Sequence, residues 1–174
     1  MFLKKFGFLF LFLLSACGFS PLYRSNQEDG VMETELVEVA SIPEYNGYVL
    51  KQNLINALNP RKKSTVKKYR LEVHLNTPRL SGQSIQGDNF ASRKKVALSA
   101  RYKLIDKETG AVLLSSSTKA IGAFNVFYEP YTTYQAEKKQ VEDLVLIVAT
   151  NISTRVAAYF KKKEVEGEGE TVSD

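Results

Sequence analysis

The chain of 174 residues is poor in the side chains that most often carry chemistry, with one cysteine and one histidine. A single cysteine leaves no intramolecular disulfide, so the fold must rely on packing. His74 lies on the polar face of an alternating segment, and one histidine cannot build a zinc site without several carboxylates. The sequence also lacks a Gly-x-Ser-x-Gly motif and a glycine-rich phosphate loop. We therefore expect no catalytic activity, no metal and no cofactor.

Long hydrophobic runs are scarce too, and the one that stands out is N-terminal. Two lysines precede an apolar segment over residues 6–14, which ends in Leu-Ser-Ala-Cys17. This is the layout of a secretory signal peptide, and the run is shorter than the roughly 20 residues that cross a bilayer. The tetrapeptide resembles the lipobox of bacterial lipoproteins, which implies that Cys17 is lipidated and begins the mature chain. The alternatives are an ordinary signal peptide with Cys17 incidental, and a buried helix.

Gly18 follows the cysteine at the position where aspartate is the usual signal for retention in the inner membrane. The resemblance to Gram-negative lipoproteins therefore implies sorting to the outer membrane. Two or more lipid signals anchor a protein stably, so a triacylated Cys17 would hold it there. We expect a lipoprotein signal peptide at 1–16, a lipidated N-terminus and tether at 17–32, one domain at 33–163, and a disordered acidic tail at 164–174.

Charge is distributed unevenly along the chain. Of 24 lysines and arginines, 22 remain after the signal peptide, and 14 of the 19 acidic residues precede the tail, so residues 17–163 carry about +8. In a cytosolic protein this charge would suggest nucleic acid. In an exported lipoprotein the available polyanions are phosphorylated lipid headgroups and their sugars, so we expect no nucleic-acid partner. A lysine-rich solvated surface is the alternative.

Hydrophobic periodicity predicts two helices and four strands. Helical spacing covers residues 44–58, ended by Asn59-Pro60, and a helix of some 27 residues runs to Lys161–Lys163 after a capping-box spacing at Thr132 and Gln135. Alternation predicts strands at 35–41, 69–75, 96–104 and 111–120, the last two joined by a turn with Gly110. Residues 78–89 are rich in Gly, Ser, Gln and Asn and are predicted as a loop. This order indicates an α+β two-layer sandwich, with both helices on one face of a four-stranded, mostly antiparallel sheet.

Three clusters could bind a partner. Arg93, Lys94 and Lys95, with Arg79 across the predicted loop, match phosphate chemistry, because arginine forks pair with phosphate oxygens. Arg61–Lys63 could do the same, although lysines also protect exposed edges from aggregation, and we favour that interpretation there. Five aromatic residues around the start of the last helix either pack in the core or form a contact surface: Phe124, Phe127, Tyr128, Tyr131 and Tyr134.

Two stretches of the mature sequence resemble the lipopolysaccharide-assembly lipoprotein family LptE. They are Cys17-Gly-Phe-Ser-Pro-Leu-Tyr23 and Tyr131-Thr-Thr-Tyr-Gln-Ala-Glu137, the latter with the helix that follows. The resemblance implies an α/β sandwich that sits in the lumen of the outer-membrane β-barrel LptD, helps that barrel assemble and binds lipopolysaccharide. It implies no cofactor and no catalysis.

Other functions remain open on the sequence. The main alternative is an outer-membrane lipoprotein adaptor or scaffold that does not bind glycolipid. A periplasmic lipid carrier would need an internal apolar cavity, for which a domain of this size has little room. An envelope enzyme is the most distant alternative.

Overall fold

The structure is a computed structural model that describes residues 32–61, 65–85 and 91–170. Cys17, the signal peptide and most of the expected tether precede residue 32 and lie outside the described residues. The same holds for 62–64, 86–90 and 171–174. Predictions that concern those segments are not tested by the structure.

Two helices and a mixed sheet make up the fold, and the predicted α+β class is confirmed. A short 3-10 helix, Glu33–Leu36, leads into the first strand. The elements are β1 (Val37–Val39), α1 (Glu44–Leu58), β2 (Tyr69–Leu75), β3 (Arg79–Ile85), β4 (Ala91–Asp106), β5 (Val112–Asn125) and α2 (Pro130–Glu170).

The long strand β4 is the central strand of the sheet. Strand β5 pairs with it antiparallel from Arg93 to Ile105. On its other side, β2 pairs with the C-terminal half of β4 and β3 with the N-terminal half, both antiparallel. Strand β1 then adds parallel to β2, with Val37 opposite Tyr69. The sheet is therefore four strands wide at one end and three strands wide at the other.

The sheet has five strands, so the prediction of four is wrong, and the difference lies in the segment predicted as a loop. Strand β3 continues the line of β2 after an interruption at Asn76–Pro78, because β4 is long enough to pair with both. The interruption is bonded to β4: the Asn76 backbone N–H donates to the Ser99 carbonyl at 2.9 Å, and its side-chain amide donates to the Ser99 hydroxyl at 2.9 Å. Strand propensity depends strongly on context, and a neighbouring strand with unpaired backbone groups outweighs a Gly- and Ser-rich composition.

The core lies between the sheet and the two helices. Alternate residues of β2 and β4 point into it, and α2 contributes a stripe at the predicted three- and four-residue spacing. Fully buried side chains, including Leu50, Leu54, Leu71, Leu98, Leu104, Leu144 and Ile152, come from both layers. The rings of Tyr69 and Phe160 meet with centroids 4.9 Å apart where α2 crosses β2.

Helix α1 has the predicted bounds and docks closely at its first turn. A Cβ at Gly47 would lie 2.9 Å from the Ile42 carbonyl oxygen and 2.7 Å from the Ile42 side chain. Glycine therefore lets the helix approach the chain that leads into it. The helix ends at Leu58, where the Asn59 N–H still bonds to the Ile55 carbonyl at 2.9 Å, as the Asn-Pro pair predicted.

Helix α2 is longer than predicted at both ends. It begins at Pro130, a residue favoured at the first helical position, rather than at the predicted capping box. It continues past Lys163 to Glu170, into the segment for which a disordered tail is expected. Glutamate is a good helix former, and Lys162 pairs with Glu166 at 3.4 Å one turn later. These two properties extend the helix through a segment whose composition suggested disorder.

By length and composition, α2 is apolar enough over Pro130–Glu166 to cross a membrane. Half of its most apolar 18-residue window is buried against the rest of the fold. The core helix of a soluble domain has the same properties.

Candidate functional site

The face of the sheet turned away from the helices is open among the described residues. Its side chains are the alternate positions of β2 and β4 that do not enter the core, together with their neighbours on β3 and β5. Arg70, Glu72 and His74 of β2 are all exposed, and so are Arg101 and Lys103 of β4, directly opposite His74 and Glu72. We call this surface the open face.

One half of the open face is cationic. Four exposed bases lie towards the end of the sheet where β3 pairs with β4, and a fifth, Arg101, follows in the middle of β4. Small or hydroxyl side chains stand beside them: Ser81 and Ala123 flank Lys95, Ser99 lies opposite Lys119, and Ser117 lies opposite Arg101. Among the described residues, none of these bases forms an ion pair. The cationic cluster consists of Arg79, Arg93, Lys95, Arg101 and Lys119.

The other half of the open face is neutralised. Arg70 lies 3.5 Å from Glu72 of its own strand, and Lys103 stands opposite the same glutamate. At the β1 edge, Lys107 bonds to Glu38 at 3.0 Å, and this hydrogen bond and charge lower the pKa of Glu38. The two halves share one surface and differ in whether carboxylates accompany the bases.

A groove opens between the two halves at the interruption of the edge strand. It has a volume of about 720 Å³ and is lined by Asn76, Thr77, Pro78, Arg79 and Arg101. Two guanidinium groups with nearby hydroxyl and amide groups are suited to an anion with several oxygens, because arginine offers paired donors in a fixed fork. The groove thus links the cationic cluster to the centre of the sheet.

Strand alternation divides the predicted cluster of Arg93, Lys94 and Lys95. Arg93 and Lys95 lie on the open face together with Arg79, which stands opposite Ala97. Lys94 is half-buried on the helix side, opposite Phe124. The structure therefore brings three of the four predicted residues onto one surface and places Lys94 on the other.

Arg101 and Lys119 were not singled out by sequence reasoning. The pairing of β4 with β5 sets Arg101 opposite Ser117 and Ser99 opposite Lys119. Alternation along β4 signals Arg101, whereas the register shift between Leu104 and Ile105 prevents a simple count from the hairpin turn from placing Lys119.

The second predicted basic cluster has a structural role at its first residue. Arg61 Nε donates to Glu35 Oε1 at 2.8 Å, and Glu35 is fully buried. Lys67 Nζ donates to the Glu35 backbone carbonyl at 2.6 Å. Lys62 and Lys63 lie outside the described residues. Arg61 and Lys67 therefore anchor the 3-10 helix that precedes β1.

The aromatic residues around the start of α2 separate into two groups. Phe124 is buried at the end of β5, as the core interpretation predicted. Phe127, Tyr128, Tyr131 and Tyr134 are exposed. The turn before the helix is fixed by Thr133, whose hydroxyl accepts the Phe127 N–H at 2.8 Å and donates to the Phe127 carbonyl at 3.1 Å.

Comparison with known sequences gives one distant relative and no family model that matches. An uncharacterised protein of Rickettsia prowazekii (strain Madrid E) is 26% identical over 160 residues, which span 90% of this chain and 99% of the relative.

Comparison with solved structures gives several lipoproteins with the same fold. A candidate lipoprotein of Caulobacter crescentus matches with a TM-score of 0.60 and 23% identity, over 75% of this chain and 94% of that chain. Rare lipoprotein B of Shewanella oneidensis matches with a TM-score of 0.57 and 11% identity, over 76% and 98%. Lipoprotein B of Nitrosomonas europaea matches with a TM-score of 0.56 and 15% identity, over 72% and 83%. At these identities the likeness concerns the fold, and it is a fold that lipoproteins use.

Proposed function

We propose that this protein is an LptE-type outer-membrane lipoprotein, anchored through Cys17, that binds lipopolysaccharide on its open face and assembles with an LptD-type β-barrel. The observation that carries the proposal is the cationic cluster, in which exposed bases share one sheet face and have no carboxylate partner within the part of the chain that the structure describes. A polyanion can neutralise such a cluster at many points. The lipoprotein fold of the solved relatives and the sequence resemblance at Cys17–Tyr23 support the same function.

Lipopolysaccharide fits the chemistry of this face because its inner region carries several phosphates on a sugar scaffold. Arg79 and Arg101 border the groove and offer bidentate donors, while Lys95 and Lys119 add point charges on either side. Hydroxyl-bearing neighbours such as Ser81 and Ser117 can bond to sugar oxygens. A protein partner would more often require apolar anchors on the face it binds.

The barrel partner is proposed from the resemblance together with the polarity of the surface. The interiors of outer-membrane barrels are polar, so a domain that enters one needs a polar exterior and an internal core of its own. The open face supplies the first and the sandwich supplies the second. A tether after Cys17 would let the lipid stay in the inner leaflet while the domain enters the lumen.

Binding of the full-length protein to lipopolysaccharide at low and high salt tests the glycolipid part. In Arg93→Ser/Lys95→Ser we expect weaker binding and a shallower salt dependence, because fewer charges are engaged. The matched control is Arg70→Ser/Lys103→Ser, which removes two bases from the neutralised half and should retain most of the affinity. Both variants should keep their melting temperature, since surface changes shift stability by less than about 0.5 kcal/mol. Equal affinity of the Arg93/Lys95 variant and wild type at both salt levels would reject the site.

Affinity purification from native membranes in mild detergent tests the barrel part. We expect a large outer-membrane β-barrel to co-purify in equal amount, and to do so with the Arg93→Ser/Lys95→Ser variant as well. Co-purification of a barrel without any lipopolysaccharide binding would favour the alternative, a lipoprotein scaffold. Recovery of the protein alone would contradict a stable complex.

Metabolic labelling with an alkyne fatty acid tests the anchor. We expect label on the wild-type protein and none on Cys17→Ser, which should accumulate as the unprocessed precursor. Equal label on both forms would show that Cys17 is not the acylated residue.

A further inference from the structure

The aromatic residues at the start of α2 form an exposed apolar surface. Tyr131 and Tyr134 are 68% and 61% exposed, and they share one side of the helix because they are three residues apart. Phe127 and Tyr128 are exposed in the turn just before it. Single exposed apolar residues are ordinary, whereas a contiguous group of them marks a contact site. We call these four residues the aromatic surface.

The aromatic surface is held in place before any ligand binds. The Thr133 hydroxyl bonds to both the N–H and the carbonyl of Phe127, and the Thr133 N–H bonds to the Glu129 carbonyl at 3.2 Å. These bonds close the turn onto the first turn of the helix. A fixed surface loses less conformational entropy on binding than a flexible loop would.

The aromatic surface lies at the same end of the domain as the basic residues of β4. Asn125, the last residue of β5, stands opposite Arg93, and Phe127 follows two residues later. Lys94 stands opposite Phe124 on the helix side of the sheet. Arg93 on the open face and Lys94 on the helix side therefore lie at the end of β4 that adjoins the turn bearing the first two aromatic rings.

We propose that Phe127, Tyr128, Tyr131 and Tyr134 form a subsite for the acyl chains of the anionic glycolipid whose phosphates engage the cationic cluster. This rests on the proposed function. An anionic amphiphile matches both surfaces at once, because its phosphates pair with the bases and its hydrocarbon covers the rings. Burial of apolar surface supplies the second contribution to affinity.

Full-length protein tested against two forms of one ligand separates the two surfaces. The probes are lipopolysaccharide and the same lipopolysaccharide after removal of both its ester-linked and its amide-linked acyl chains with strong alkali. In Tyr131→Ser/Tyr134→Ser we expect the affinity for the intact form to fall by about tenfold or more, and the affinity for the deacylated form to stay at the wild-type value. Tyr131→Phe/Tyr134→Phe should bind both forms like wild type, because the rings remain.

Helix α1 offers a matched control. Tyr45 and Tyr48 are also three residues apart and are 63% and 59% exposed, but they lie at the start of the other helix. In Tyr45→Ser/Tyr48→Ser we expect affinity for both forms within about twofold of wild type. If the Tyr45/Tyr48 variant lost as much affinity for the intact form as the Tyr131/Tyr134 variant, the subsite would be wrong. The loss would then depend on removing any two exposed tyrosines and not on their position.

The outcomes distinguish the subsite from the proposed function. If Arg93→Ser/Lys95→Ser weakens binding of both forms while the Tyr131/Tyr134 variant binds the intact form like wild type, the subsite is wrong and the proposed function stands. If wild-type protein binds neither form, the proposed function fails and the subsite with it. If the Tyr131/Tyr134 variant loses the barrel in a native pull-down but retains its affinity for the intact form, the aromatic surface contacts protein and the subsite is wrong.

Discussion

The two faces of the sheet are made from the same strands and differ in almost every side-chain property. Along β4, Val96, Leu98 and Ala100 are fully buried under the helices, whereas Lys95, Arg101 and Lys103 between and beyond them are exposed. A period of two residues is enough to produce both surfaces from one segment. The covered face accounts for folding, and the open face is free to carry charge at little cost in stability.

The open face itself contains a second contrast. Carboxylates accompany the bases at the wide end of the sheet, where Glu38 and Glu72 lie. Among the described residues they are missing from the cationic cluster, which extends from Arg101 in the middle of β4 to the narrow end. This separation of charge is the basis on which we propose the open face as a binding surface.

The largest effect is expected from a substitution on the covered face. Leu98 is fully buried in the middle of β4, and Leu98→Ala should cost about 2–5 kcal/mol through lost burial and the cavity left behind. Arg101→Ser, three residues further along the same strand on the open face, should change stability by less than about 0.5 kcal/mol. Chemical denaturation measures both. Similar losses would show that the open face is also packed.

Breaking the ion pair between Arg61 and the buried Glu35 should lower the free energy of unfolding, whereas removing charges from the open face should not. Arg61→Met leaves the buried Glu35 carboxylate without the donor at 2.8 Å, and should cost about 1–3 kcal/mol. Glu35→Gln in the same background should recover part of the loss, since a neutral side chain is easier to bury. Denaturation of the single and double variants checks this. An Arg61→Met variant as stable as wild type would show that the bond from Arg61 does not stabilise the buried Glu35 carboxylate.

The turn that fixes the register of the open face should be moderately sensitive. Gly110 has φ of +71°, and a Cβ there would meet no atom within 4 Å. Any cost of Gly110→Ala is therefore conformational and should be about 1 kcal/mol. Thermal unfolding measures it, with Ala111→Gly as a control of similar size change. A stabilised Gly110→Ala variant would contradict the left-handed turn.

The smallest effect concerns acid stability of the same turn. Backbone N–H bonds from Thr109 and Glu108 hold the pKa of Asp106 below its ordinary value. Because the folded pKa is depressed, the carboxylate contributes stability above the ordinary value, and this is lost as pH falls below about 4. Asp106→Asn keeps an acceptor oxygen and removes the titration, so its melting temperature should fall less steeply over that range. Melting temperatures that fall equally steeply with pH in wild type and in Asp106→Asn would show that Asp106 does not contribute to acid stability.

Much of the covered face could be predicted from sequence, and less of the open face could. The bounds of α1 and β2 follow directly from apolar periodicity, because burial imposes it. Strand β3 carries no such signal, since its residues are largely polar and its pairing depends on the length of β4. For the same reason Arg79 was assigned to a loop instead of a strand. Charge density alone suggested Arg93, Lys94 and Lys95, and only the register separates Lys94 from the other two.

The most direct test of the central claim is a photocross-link placed on each face of the molecule. A photoreactive amino acid at Ser117, which stands opposite Arg101 on the open face, is compared in living cells with one at Tyr48, exposed on helix α1. The account predicts a cross-link to lipopolysaccharide from position 117 and none from position 48. A cross-link from position 48 alone, or equally from both, would contradict the open face as the glycolipid-binding surface.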